Sequence, residues 1–348
     1  MRLVLAGGGT GGHLFPGITI AQEALKEGPS TEVLFIGAPG GLDSTIVPKH
    51  NFKLKLIPIG GLKSVGIWQL IKTLFFLPYA IIKSALYLKK FHPDAVVGLG
   101  GYSAGPVVLA AKLLKLKTGI LENNSVPGFT NRKLAKFVDH IYLAFEEAKK
   151  FFPENKIIMT GNPVRLEIQP TPLPPKDRFT IGILGGSQGA RRLNQIVVEA
   201  LPLIDPEVEI IHQTGSQDIE WVKQGYREAG RPGEVEPFFS DMSDFYRKIS
   251  LSICRAGATT ISELAAAKRP GIFIPFPFAT DDHQTGNAKS IEALGGGKVV
   301  LQSDLTPQKL ASIVGNFKRE NSELEKMAQK IFAWHKPNAA AEILQSLK

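Results

Sequence analysis

Three times in this chain a short apolar run enters a glycine-rich turn and then a stretch with helical character. Leu3-Val4-Leu5-Ala6 leads into Gly7 to His13 (GGGTGGH), Val96-Val97-Gly98-Leu99 into Gly100 to Pro106 (GGYSAGP), and Ile181-Gly182-Ile183-Leu184 into Gly185 to Arg192 (GGSQGARR). Glycine reaches turn conformations that other residues avoid and lets a ligand approach the backbone. The helix start beyond such a turn presents unpaired N–H groups and about half a positive charge from its dipole. The pattern predicts α/β folding, with parallel strands covered by helices on both faces. Two turns in the first half and one in the second predict two doubly wound, Rossmann-like domains that share a phosphate-bearing ligand.

Other strand-like runs keep that rhythm: Glu32 to Ile36, Thr118 to Leu121 and His140 to Ala144, then Val208 to Gln213, Leu251 to Cys254, Gly271 to Ile274 and Lys298 to Leu301. Between the halves, Thr160 to Arg178 carries Pro163, Pro170, Pro172, Pro174 and Pro175, which restrict φ and remove donors, so it reads as a linker. The expected division is 1–163, 164–332 and a final helical segment, 333–348, packing back on the first domain. A chain of 348 residues suits two such domains.

The net charge of +9 is unevenly spread. Up to Arg165 there are 20 Lys/Arg against 10 Asp/Glu; beyond it, 21 against 22. Lys63 to Lys90 holds five lysines, no acid and many apolar residues, among them Trp68, Phe75, Phe76, Tyr79 and Ile82. This mixture suits an anionic membrane surface, and equally a buried helix pair with lysines on its wet face. No nucleic-acid recognition pattern accompanies the charge. The longest apolar run, between Lys72 and Lys83, is ten residues, where a membrane span needs about twenty. The single cysteine, Cys254, and the lack of a leader-like start lead to the expectation of a reducing cytoplasm.

A dinucleotide is disfavoured although Gly7, Gly9 and Gly12 satisfy G-x-G-x-x-G. The fingerprint wants an acid at the end of the second strand, and the first one after Phe35-Ile36-Gly37-Ala38 is Asp43. A Walker P-loop is missing. The histidines lack metal-site spacing, and no Asp-x-Asp follows a strand, although Asp281-Asp282 is a partial imitation; no metal and no cofactor are expected. The richest stretch is Arg255 to Asn287. Gly257 to Thr260 reads as a turn opening a helix suited to a diphosphate. Glu263 suits either a ribose diol or, in Thr260-Ile-Ser-Glu263, a capping box serving the helix alone.

Together GGGTGGHLFPGITIAQ, GLGGYSAGP, LENNSVPGFTNRKLAK, GNPVR, GGSQGARRLN, HQTG and RAGATTISELAAAKRP to DDHQTGNA resemble the MurG family of glycosyltransferases over nearly the whole chain. The resemblance implies the GT-B architecture, with two Rossmann-like domains facing a cleft. It implies inverting transfer of N-acetylglucosamine from uridine diphosphate N-acetylglucosamine (UDP-GlcNAc) to the undecaprenyl-diphospho-muramoyl-pentapeptide lipid I, giving lipid II. It also implies peripheral attachment to the cytoplasmic face of the inner membrane. By motif position it assigns the donor diphosphate to Ser187, Ala258, Thr259 and Thr260 with Arg165 nearby, the uracil to the Phe239 backbone, the ribose to Glu263, and the sugar to Gln284 and Asn287. From the first domain it brings Thr10, Gly11, Gly12 and Asn124 to the same cleft. Tyr102 and Ser103 are candidates for the acceptor diphosphate. A base must take the acceptor's proton; His13 is the first candidate and Glu122 the second. Where the family shows His-Glu-Gln-Asn, this chain reads Leu121-Glu122-Asn123-Asn124, so that histidine is not essential here. The alternatives are a related enzyme with another lipid acceptor, a UDP-sugar epimerase, and a catalytically idle membrane-associated scaffold.

Overall fold

The computed structural model describes residues 1–59, 67–175, 177–186 and 189–348, without the side chains of 67–75 and 321. Ser187 and the first part of the Lys63–Lys90 segment therefore lie outside the described residues. The chain forms two compact units, Met1–Arg165 with Lys336–Lys348, and Leu166–His335. The first boundary falls two residues later than expected, which places Arg165 with the first unit. Four of the five linker prolines follow that boundary. Arg269 explains why: fully buried, it donates to the Thr171 carbonyl and hydroxyl and to the Pro172 carbonyl, fastening the linker to the second unit.

In the first unit β1 (Arg2–Gly7), α1 (Gly11–Leu25), β2 (Glu32–Gly37), α2 (Asp43–Lys49), β3 (Lys53–Leu56), α3 (Ile67–Phe91), β4 (Ala95–Gly100), α4 (Ala104–Leu113), β5 (Lys117–Glu122), α5 (Phe129–Leu134), β6 (His140–Leu143) and β7 (Ile157–Ile158) build a parallel sheet ordered β3-β2-β1-β4-β5-β6-β7. Alternation along the strands divides the core. Val4 and Ala6 join Leu34, Ile36 and Val96 on one face, while Leu3 and Leu5 join Val33, Phe35 and Val97 on the other. The second face is completed by the last helix, Ala339–Ser346, through Ala340, Ile343 and Leu344, with Leu347 just beyond. The Tyr142 and Ser346 hydroxyls meet there at 2.7 Å.

The second unit contains β8 (Thr180–Leu184), α6 (Arg191–Ala200), β9 (Glu209–Gln213), α7 (Ile219–Glu228), β10 (Glu234–Glu236), α8 (Met242–Lys248), β11 (Leu251–Cys254), α9 (Ala258–Ala266), β12 (Gly271–Phe273), α10 (His283–Ala293), β13 (Gly297–Val299), α11 (Pro307–Arg319) and α12 (Asn321–Trp334). Its parallel sheet runs β10-β9-β8-β11-β12-β13. In both sheets the strand order reverses once, between β1 and β4 and between β8 and β11. A crevice opens at the carboxyl ends of strands at such a switch point. All three glycine turns and the Gly257 turn lie beside these two places. Among the described residues no helix is long and apolar enough to cross a membrane.

Candidate active site

In the first unit two turns approach closely. Gly7, at φ 116°, lies against the Gly100 carbonyl so tightly that no side chain fits, and Gly100 itself has φ 101°. His13, third residue of α1, lays its ring on Gly100; a Cβ there would come 2.8 Å from its Cε1 and Nδ1. Nδ1 is buried, so any proton exchange with an acceptor falls to Nε2. Thr10 and Gly12 are exposed beside it, and Gly11 is half-buried. Arg165 places its guanidinium 4.7 Å from the Phe15 ring centre, on the helix that carries His13. Its assignment to the domain beginning at 164 is corrected accordingly.

Pro16 makes this helix start unusual. It has no N–H to return to the Gly12 carbonyl four residues back. The Asn123 side-chain amide supplies that hydrogen at 2.9 Å and couples the loop after β5 to the first glycine turn. Asn123, to which the resemblance gave no role, thus has one. Leu121, in the place of the family's histidine, is buried in the core.

Glu122 is not placed as a base. Oε1 accepts from the Asn124 N–H (3.0 Å) and side-chain amide (3.2 Å), and Oε2 from the Gly128 N–H (3.0 Å) and the Asn131 amide (3.0 Å). Four donors occupy a fully buried carboxylate whose pKa burial nonetheless pushes up. The expectation of a second catalytic candidate is corrected: Glu122 organises the loop that presents half-buried Asn124. Tyr102 is exposed, whereas Ser103 is buried and offers no open surface to an acceptor.

Asp43, set aside in the sequence because it comes too late for a ribose contact, lies under the first turn. Its Oδ1 accepts the Gly9 N–H at 2.6 Å, and only the missing side chains of Gly8 and Gly37 leave room for its carboxylate. Burial pushes its pKa up as well. The sequence signal was the glycines that precede it, at Gly8 and at Gly37, Gly40 and Gly41.

In the second unit the capping-box alternative for Glu263 fails. Helix α9 begins at Ala258 with Gly257 as N-cap, so Glu263 is the sixth helical residue, beyond capping reach. Its Oε2 accepts from the buried Tyr246 hydroxyl at 2.9 Å, which orients the carboxylate. Ala258, Thr259 and Thr260 form the first turn of a nine-residue helix whose N-cap has no side chain to take its N–H groups.

The remaining donor candidates are more constrained than the sequence implied. The Phe239 N–H already donates to Gln213 Oε1 at 3.1 Å, leaving its carbonyl for a base. Gln284 Oε1 accepts the Phe276 N–H at 2.9 Å, holding the Pro275–Phe278 loop. Asn287 is fully buried and donates to the Ala256 carbonyl at 3.2 Å, so it supports the α9 entry from beneath. Arg255, missed by motif reading, pins the same loop: it donates to the Ile274 and Pro275 carbonyls and to Gln302, and lies over Phe276. Asp281 and Asp282 adopt left-handed conformations, and Asp282 accepts from Thr285 at 2.6 Å. Among the described residues no three His, Cys, Asp or Glu groups gather as a metal site.

Models of the glycosyltransferase family 28 N-terminal and C-terminal domains match residues 3–143 and 180–345. The chain belongs to glycosyltransferase family 28. Within that family it is 44% identical to the UDP-N-acetylglucosamine--N-acetylmuramyl-(pentapeptide) pyrophosphoryl-undecaprenol N-acetylglucosamine transferase of Myxococcus xanthus (strain DK1622), over 99% of this chain and 91% of that protein. The like-named transferase of Citrifermentans bemidjiense is 42% identical over 100% and 99%. The crystal structure of Acinetobacter baumannii MurG superposes with a TM-score of 0.81 at 31% identity, covering 99% of this chain and 98% of that one. A UDP-GlcNAc 2-epimerase from Neisseria meningitidis shares the fold alone, at TM-score 0.68 and 15% identity. The two parallel-sheet units are thus the GT-B architecture of family 28.

Proposed function

We propose that this family 28 enzyme transfers N-acetylglucosamine from UDP-GlcNAc to lipid I, yielding lipid II for peptidoglycan. The observation that carries this reading is end-to-end similarity, above 40%, to transferases named for that reaction. The arrangement of the second unit supports it. The first turn of α9 and the turn after β8 suit a diphosphate, the oriented Glu263 suits a ribose diol, and the Phe239 carbonyl suits the uracil. Gln284 faces the sugar, with Asn287 reassigned as its support. Leaving-group charge is met by helix N–H groups and dipoles already in place. On the first unit, His13 through Nε2 accepts the proton of the attacking hydroxyl, while Thr10 to Gly12, Asn124 and Tyr102 meet the acceptor.

Attachment to an anionic, cytoplasmic-facing membrane surface belongs to the same proposal. Phe76, Tyr79, Ile82 (60% exposed) and Leu86 (62% exposed) recur at helical spacing along α3, among Lys83, Lys89 and Lys90. Such a stripe suits shallow insertion with lysines at the headgroups. Ile82→Ser with Leu86→Ser should weaken binding to phosphatidylglycerol vesicles at least tenfold; unaltered binding would remove α3 from the reading.

Single-turnover transfer of labelled N-acetylglucosamine to lipid I tests the function. Wild-type protein should form lipid II, and His13→Ala should lose at least about 100-fold in rate, within the range for a general base, while still binding donor. A folded, donor-binding wild type that makes no lipid II would redirect the search to another acceptor. Full activity in His13→Ala would place the base elsewhere.

A further inference from the structure

Beneath the donor-side turns of the second unit runs a buried polar chain that none of the roles above uses. His212, the residue before the last of β9, is fully buried between Tyr226 of α7 and Asn194 of α6. Its Nδ1 lies 3.2 Å from the Tyr226 hydroxyl and its Nε2 3.1 Å from Asn194 Oδ1. Asn194 spends its amide hydrogens on the Thr214 carbonyl and on Asp218 Oδ2, both at 2.9 Å. Its Oδ1 is therefore an acceptor, and the hydrogen between it and His212 belongs to Nε2. Nδ1 is then bare and accepts from Tyr226. Asp218 Oδ1 in turn accepts from Trp221 Nε1 at 2.9 Å. Every donor and acceptor direction along the chain follows from the two hydrogens of one amide.

The far end of this chain bears on the donor side. A Cβ on Gly189, in the turn after β8, would meet the Thr214 carbonyl at 2.5 Å, so that carbonyl is the wall on which the glycine turn rests. Gln213 bridges from the Gly186 carbonyl (3.4 Å) to the Phe239 N–H (3.1 Å). The fold thus suspends two donor-facing segments from consecutive residues of one strand end. Were the Asn194 amide reversed, its oxygen would face the Thr214 carbonyl and the Asp218 carboxylate, both repulsive. These two acceptors prevent that reversal, and the Oδ1 so fixed holds the imidazole by its Nε2 hydrogen.

We propose that His212, held as the neutral Nε2–H tautomer, is a positioning residue: its hydrogen bond to Asn194 Oδ1 keeps the amide on the Thr214 carbonyl and so sets the Thr214–Gly215 turn against Gly186 and Gly189, beside the place where the donor's diphosphate binds. The link to donor binding rests on the proposed function; the tautomer and the turn do not. Burial drives the His212 pKa down to about 3, in keeping with a ring that stays neutral.

Imidazole 15N spectra of the full-length protein test the tautomer without any variant. A protonated Nε2 and bare Nδ1 from pH 5.5 to 8.5 are expected; an Nδ1–H form, or titration near pH 6.5, overturns the assignment. In His212→Leu, amide exchange at Gly186, Gly189 and Gly215 should quicken at least tenfold and the KM for UDP-GlcNAc rise at least tenfold with kcat within threefold. His212→Gln, which can again donate to Asn194, should recover most of both. Unchanged exchange, or a fall in kcat and melting temperature at unchanged KM, overturns the positioning role. Failure of wild type to bind uridine diphosphate in calorimetry would retire the functional reading instead, and the spectra and exchange rates would still decide this one.

Discussion

The two units share a topology and a switch point, yet they brace their glycine turns with opposite chemistry. Under the first-unit turns lie buried carboxylates: Asp43 holds the Gly9 N–H, and Glu122 gathers four donors of the adjoining loop. Under the second-unit turns the struts are mostly neutral: the His212 imidazole and the Asn194 and Gln213 amides. Among the described residues two carboxylates are exceptions: Asp218, with the Arg191 guanidinium 3.9 Å away, and Glu263, held by the Tyr246 hydroxyl. A buried anion opposes a phosphate placed above it, whereas neutral struts leave the helix-terminal N–H groups at full effect. The difference favours the second unit for the donor's diphosphate, as the proposed function requires.

Removing the carboxylate from each side should break this comparison most sharply. Glu122→Ala strands four donors and should cost on the order of 3 to 5 kcal/mol in a denaturant melt, with transfer lost along with the loop. Glu263→Ala should instead raise the donor KM about 10- to 100-fold, equivalent to roughly 1.4 to 2.8 kcal/mol, with a smaller loss of stability, about 1 to 2 kcal/mol, from the one Tyr246 hydroxyl deprived of its acceptor. Equal losses of stability in the two variants would erase the distinction. Arg269 offers a subtler test, since it is a buried cation on the neutral side, held by carbonyls, with its pKa lowered to about 10 by burial. Arg269→Met should lower stability by about 3 kcal/mol by leaving those carbonyls and the linker unserved, while KM changes little.

Acid should separate the units by sign. His212 is held below its ordinary 6.5, so the unfolded chain binds more protons there. Its contribution is present above pH 6.5 and drains away as pH falls toward 3, at up to about 1.4 kcal/mol per pH unit. Glu122 and Asp43 are pushed above their ordinary 4.5 and 3.8, so their contribution is complete below those values and lost as pH rises beyond them. Hydrogen exchange followed from pH 6.5 to 4 should show the core of the second unit loosening first. His212→Gln should remove that bias.

Much of the fold was legible because the central strands are short, apolar and punctuated by glycine. The edges were not: Lys53–Leu56 alternates lysine with leucine and is half-exposed, and Glu234–Glu236 and Ile157–Ile158 are too short for any period to show. At the site, the turns and Glu263 were visible as motifs. The supports were not, because Asp43 and Asn123 act on backbone groups 34 and 111 residues away. Nor did residue type tell a reactive group from a strut. Glu122 and Asn287 look available in a motif and turn out to be buried in hydrogen bonds that spacing cannot reveal.

The return of the last helix to the first sheet has a consequence for biosynthesis. Residues 336–348 complete a core begun at Leu3, while the whole of Leu166–His335 lies between them in the chain. At roughly 5 to 20 residues per second, the ribosome takes about 10 to 30 seconds to make that interval. Throughout it, the face of Leu14, Ile18 and Val33 lacks its cover. The unit translated first is therefore the last to be finished, and a nascent chain stalled before Lys336 carries one complete domain and one still open.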